Sequence, residues 1–167
     1  FYRTDTYETF DNLSMWTGLS NLQFFSTTVE PSIMEFYPQL GVKRDVSSKP
    51  EAERCALRGL LSVRFTLMPL EEQANFMEEV DQQGWTFWGE AGSYAIYEND
   101  NWVPMGFTYD SYITQEQLDA IPEDMRANIL MRALVLDEDQ IRRYGGWLTQ
   151  LDSTDLVDRD YDAYTQD

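Results

Sequence analysis

The chain has 167 residues, 43% hydrophobic and 14% aromatic, enough to bury a core in one domain, or in one domain with a tail. Its net charge is −18, a field that repels nucleic acid and argues against a nucleic-acid partner. It has no histidine and one cysteine, Cys55, which removes most nucleophilic triads, histidine-based zinc sites and any internal disulfide.

Phe1 to Tyr7 alternates bulky and polar residues and predicts an edge or second strand. With no initiator methionine before this run, the chain reads as a segment of a longer protein, any membrane spans or address signals lying outside it. No run within it approaches the roughly 18 apolar residues of a spanning helix. Asp11 to Thr28 has no clean period and predicts an irregular aromatic loop around Trp16, with a short strand at Leu22 to Phe25. Pro31 suits the first position of a helix carrying Ile33, Met34, Phe36 and Tyr37, stopped by Pro38 and Gly41. Lys43 to Arg54 is the most linker-like stretch. Six of the twelve basic residues lie between Lys43 and Arg64, a cationic island in an acidic chain. Its plain reading is a solvated loop paired to carboxylates. Its functional reading is a contact for an anionic group, through Lys43, Arg44 and Arg58.

From Arg58 to Phe107 the pattern turns to strands. Val63, Phe65 and Leu67 alternate with polar residues, as in a half-buried strand. Trp85 to Trp88 and Ser93 to Tyr97 predict a hairpin joined by Gly89-Glu90-Ala91-Gly92, with Trp85, Phe87 and Trp88 in its core. Val103, Met105, Phe107 and Tyr109 alternate again and predict a fourth strand. Between the first and second, Pro69 to Gln83 predicts a helix with Ala74, Met77 and Val80 facing inward and Gly84 as its stop. Strand, helix, strand in that order indicates a crossover.

The last third reads as helical. Thr114 with Gln117, and Asp137 with Gln140, have the spacing of capping boxes. Pro122 opens a helix with a core face of Met125, Ile129, Ala133 and Leu136. Ile141, Tyr144, Leu148 and Leu151 line another, weakened at Gly145-Gly146. The expected fold class is mixed α/β (α+β): a single domain with a central mixed sheet of about five or six strands covered by helices, and a helical C-terminal third. The body is expected over 1–151, and 152–167 as an acidic tail or the truncated start of a following element.

Thirty acids bring some carboxylates together by chance, and nothing marks one pair for catalysis. Asp137-Glu138-Asp139 has the form of a helix cap. Asp158-Arg159-Asp160 and Asp160-Tyr161-Asp162 read as solvated acids rather than metal ligands. No catalytic residue, metal site or cofactor is therefore expected here. The 24 aromatic residues are the more informative feature, since flat sugar faces stack on such rings. Trp16 in the irregular loop, and Trp102 beside Asn99 and Asn101, are the candidate ligand platforms; core packing is the alternative for each tryptophan.

The order of several phrases carries a resemblance. A leucine pair, Leu60-Leu61, precedes Ser62-Val63-Arg64-Phe65. A helix and an aromatic hairpin ending Tyr97-Glu98-Asn99 follow, then Asn101-x-x-Pro104-x-Gly106-Phe107. Arg3, Ser26 after two phenylalanines, and Leu40-Gly41-Val42 fall in the same order. Over most of residues 1 to 136 the chain resembles the extracytoplasmic part of YfhO-type bacterial membrane proteins, with Arg64-Phe65 departing mildly from the Lys-Tyr of that pattern. The resemblance implies a place on the outer face of the bacterial membrane. The parent would be a multi-spanning, lipid-sugar-dependent glycosyltransferase decorating teichoic-acid-like cell-wall polymers. The catalytic carboxylate would lie beyond these residues. This chain would then be non-catalytic, bracing the membrane-embedded remainder or shaping the entrance for a glycopolymer. A free-standing carbohydrate-binding module is the alternative.

Overall fold

The computed structural model describes residues 1–43, 46–152 and 156, and the chain divides into two compact units, the second beginning at Gly106. The first contains β1 (Arg3–Thr6), α1 (Leu13–Thr17), β2 (Phe24–Phe25), α2 (Pro31–Gln39), β3 (Ser47–Ser48), α3 (Cys55–Leu60), β4 (Val63–Pro69), α4 (Gln73–Glu79), β5 (Trp85–Ala91) and β6 (Tyr94–Asn99). The second contains β7 (Ser111–Thr114), α5 (Gln115–Asp119), α6 (Arg126–Leu130), β8 (Leu134–Leu136), α7 (Glu138–Tyr144) and β9 (Thr149–Gln150). This is the mixed α+β class that the alternation and helix signals predict. Its strands are shared among a four-stranded sheet, a three-stranded sheet and the β2–β3 pair.

The four-stranded sheet has the order β1-β4-β6-β5. β1 is parallel to β4 at the edge, and β6 runs antiparallel to both β4 and β5. β4 and β5 therefore share a direction, with β6 inserted between them, and α4 lies on the crossover that joins them. A 3₁₀ turn, Leu70–Glu72, leads into α4. The inward face of α4 differs from the expected one. Phe76 and Val80 are buried, Met77 is half-buried and Ala74 is exposed. Phe76 meets Tyr7, Trp85 and Tyr97 at ring-centroid distances of 5.3, 5.4 and 5.8 Å, so the larger ring takes the core position. The chain leaves the helix through left-handed residues Asp81, Gln82 and Gly84.

The hairpin is tighter than expected. Ala91 pairs with Tyr94, so only Gly92-Ser93 turns the chain, with Gly92 at φ +63°, a conformation open to glycine. The register of β5 on β6 slips between Phe87 and Gly89, which leaves Trp88 as a bulge residue. Trp85 alone of the expected aromatic trio is buried; Phe87 is 49% and Trp88 61% exposed. The stretch 103–109 forms no strand. Pro104 offers no N–H, and Gly106 turns at φ +86°. Cys55–Leu60, with no element expected there, forms α3. Ser62, at φ +62°, then redirects the chain into β4.

In the second unit both expected capping boxes form. The Thr114 and Asp137 side chains accept from the backbone N–H of Gln117 and Gln140, and each glutamine accepts in return from the cap N–H. Around them the chain is less helical than its periodicity predicts. β7 pairs in parallel with β8 on one side and β9 on the other. Leu134–Leu136, expected within a helix, is β8. Ile113, Leu118, Ile129 and Ala133 form the buried centre of this unit.

Candidate functional site

One face of the four-stranded sheet is an open groove of about 380 Å³ lined by Tyr2, Thr4, Leu19, Arg64, Phe65, Leu67, Trp88 and Ile96. Its construction follows from the pairing. Thr4 stands opposite Phe65 across β1 and β4, and β6 lies beyond. The bulge at Trp88 brings that ring to 5.6 Å from Phe65, edge to face. Tyr2, just before β1, closes on Phe65 from the other side at 5.4 Å.

A cation lies among these rings. The Arg64 guanidinium carbon is 4.9 Å from the Phe65 centroid, 5.1 Å from Trp102 and 5.6 Å from Tyr2. Its Nε donates to Glu98 Oε1 at 2.7 Å. Arg64 and Glu98 keep 35% and 28% of their side-chain surface exposed, so the pair is held by protein yet reachable from solvent. The rings flank the guanidinium, and the carboxylate accepts from its Nε. Such a surface offers apolar faces for stacking and a charge pair for polar groups at the rim.

The residues singled out from sequence separate. Trp102 adjoins the groove through two of its residues: it is half-buried, meets Tyr2 edge-on at 6.5 Å and flanks Arg64. Asn99 is fully buried. Its Nδ2 donates to the Val63 carbonyl at 3.1 Å, and its Oδ1 accepts from the Asn101 backbone at 3.0 Å. Asn99 thus ties the end of β6 to β4 and sets the turn that delivers Trp102. Asn101, half-buried, supplies the N–H of that turn. Trp16 is 83% exposed on α1. Lys43 is exposed, and Arg44 lies outside the described residues.

Arg58, expected as a surface cation, is 3% exposed and fully engaged inside the first unit. Its Nε donates to Asp5 Oδ2 at 2.7 Å, while its terminal nitrogens donate to the carbonyls of Pro50, Glu51 and Ala52. Burial raises the Asp5 carboxyl above its ordinary range, against the pull of Arg58 and of the Thr6 N–H. Arg58 also lines a larger recess of about 670 Å³, together with Tyr7, Lys49 and Glu79. There Tyr7 donates to Glu79 at 2.7 Å, and burial followed by that carboxylate raises the phenol well above its ordinary value.

Sequence reasoning missed Tyr2, Phe65 and Trp88 as groove residues and Glu98 as the partner of Arg64, and counted Arg64 only within the cationic island. Phe65 and Trp88 read as core because alternation marks a face without saying whether a helix covers it. Asp137 acts as the cap expected of it, and the acids at 158–162 lie outside the described residues.

An α+β body with an open ring-lined groove and one charge pair at its rim has the makings of a binding surface. The chain's affiliation is specific: the family described as "Bacterial membrane protein YfhO" matches residues 1–160, and the chain belongs to that family of bacterial membrane proteins. No curated protein and no solved structure matches it. Among the described residues no helix is long and apolar enough to cross a membrane.

Proposed function

We propose that this chain is an extracytoplasmic unit of a membrane-bound, lipid-sugar-dependent glycosyltransferase, and that its groove holds part of the cell-wall glycopolymer being decorated. The transfer itself is assigned to the membrane-embedded remainder of the protein, and this unit positions the acceptor. The observation that carries the reading is the open groove lined by Tyr2, Phe65, Trp88 and Arg64, whose guanidinium is flanked by Tyr2, Phe65 and Trp102 and paired with Glu98. Aromatic faces stack on the C–H surfaces of sugar rings, and Arg64 with Glu98 supplies a donor and an acceptor for hydroxyl or phosphate groups. Membership of a bacterial membrane-protein family supports the setting. The acidic net charge works against a polyanionic polymer, so recognition would rest on stacking, with Arg64 as the local anchor.

Calorimetric titration with a glycerol-phosphate polymer and with neutral oligosaccharides tests the proposal. Trp88→Ala and Trp102→Ala should each weaken binding by about tenfold or more, as the loss of an aromatic stacking partner does. Absence of binding to both ligand types, or binding indifferent to both substitutions, removes the acceptor-holding role.

A further inference from the structure

Between Asp11 and Glu30 the chain carries no charged residue, although a quarter (25%) of its residues are charged. Within that stretch α1 presents Met15 at 81% and Trp16 at 83% exposure, with Phe10 and Phe25 exposed nearby in sequence at 55% and 47%. Such exposure is not a consequence of a loose loop. Leu13 anchors α1 in the core at 8% exposure. Asn12 clamps the far strand, its Nδ2 donating to the Phe25 carbonyl at 3.1 Å and its Oδ1 accepting from the Phe25 N–H at 2.9 Å. Asp11, the charge at the edge of the stretch, is neutralised by Lys49 at 2.7 Å. The fold therefore tethers this uncharged apolar tip while leaving Met15 and Trp16 open to solvent.

We propose that the Met15–Trp16 tip seats in the interfacial layer of a lipid bilayer. Tryptophan has a polar N–H on a large apolar ring and prefers the headgroup level. An acidic surface is repelled from anionic headgroups, and the uncharged tip can approach a bilayer without that penalty. The chain's family is one of membrane proteins, which puts a bilayer within reach. The inference stands apart from the glycopolymer reading, because neither Met15 nor Trp16 lines the groove assigned there to the glycan.

The test is flotation of the full chain with phosphatidylcholine vesicles, with and without brominated acyl chains. Binding is expected, with quenching of tryptophan fluorescence. Trp16→Ser should lower the partition coefficient by about tenfold or more and remove most of the quenching. Trp16→Phe should retain an intermediate share. Trp147→Ser is the control, since Trp147 is equally exposed, at 83%, but lies outside the uncharged stretch. Added phosphatidylglycerol should weaken binding, and salt should restore it. No partition, or equal loss in Trp16→Ser and Trp147→Ser, overturns the proposal. Self-association abolished by Trp16→Ser without vesicle binding also overturns it, in favour of a second copy as the occupant.

Discussion

Asp5 and Arg58, 53 positions apart, meet as a 2.7 Å ion pair whose side chains are 0% and 3% exposed. The pair ties the edge strand β1 to α3, and the Arg58 fork fastens the 50–52 backbone to the same point. Removing one partner leaves a buried charge unmatched. Arg58→Met should therefore lower the unfolding free energy by about 3–5 kcal/mol, read as a fall in the urea midpoint. Arg58→Lys should still destabilise, because one ammonium cannot reach Asp5 and three carbonyls in the geometry of a guanidinium.

Phe76 stands at the centre of the ring cluster formed with Tyr7, Trp85 and Tyr97. Phe76→Ala should cost about 3–5 kcal/mol and unpin α4 from the sheet. Near-ultraviolet circular dichroism should lose its aromatic signal at lower denaturant than in the parent chain. Ala74→Ser, on the exposed side of the same helix, should change stability by less than about 0.5 kcal/mol.

Tyr109 donates to the Leu130 carbonyl at 2.5 Å, and burial pushes its phenol from the ordinary 10.0 up to about 12. The folded second unit thus keeps a proton that the unfolded chain releases earlier. Its contribution to stability is complete below the ordinary phenol value and is lost as pH rises from there through about 12. Thermal melts across that window should show a steeper alkaline decline in the parent chain than in Tyr109→Phe.

Thr114 and Asp137 each close a capping box at the start of a short helix in the second unit. Thr114→Ala and Asp137→Ala should each cost about 1 kcal/mol by urea denaturation, while serine at either position should keep most of it. The two losses should add if the caps act independently, and a double variant measures that directly.

What local chemistry decides was readable in the residues. A capping box needs only groups three residues apart, so Thr114–Gln117 and Asp137–Gln140 were visible without a fold. Alternation at Val63, Phe65 and Leu67 marked β4, and the ordered phrases from Arg3 to Phe107 pointed to the family. Asn99, Arg58 and Trp88 went the other way, for one physical reason. Whether a polar group is solvated or buried, and whether a ring is covered or open, depends on which strands become neighbours. The order β1-β4-β6-β5 sinks Asn99 against the Val63 carbonyl, draws Arg58 onto Asp5 and opens Trp88 toward Phe65. Leu134–Leu136 is too short for its apolar pattern to separate helix from strand, and pairing with β7 settles it as a strand. Composition and spacing determined the class of structure and the caps; long-range pairing decided which side chains face the solvent as a site.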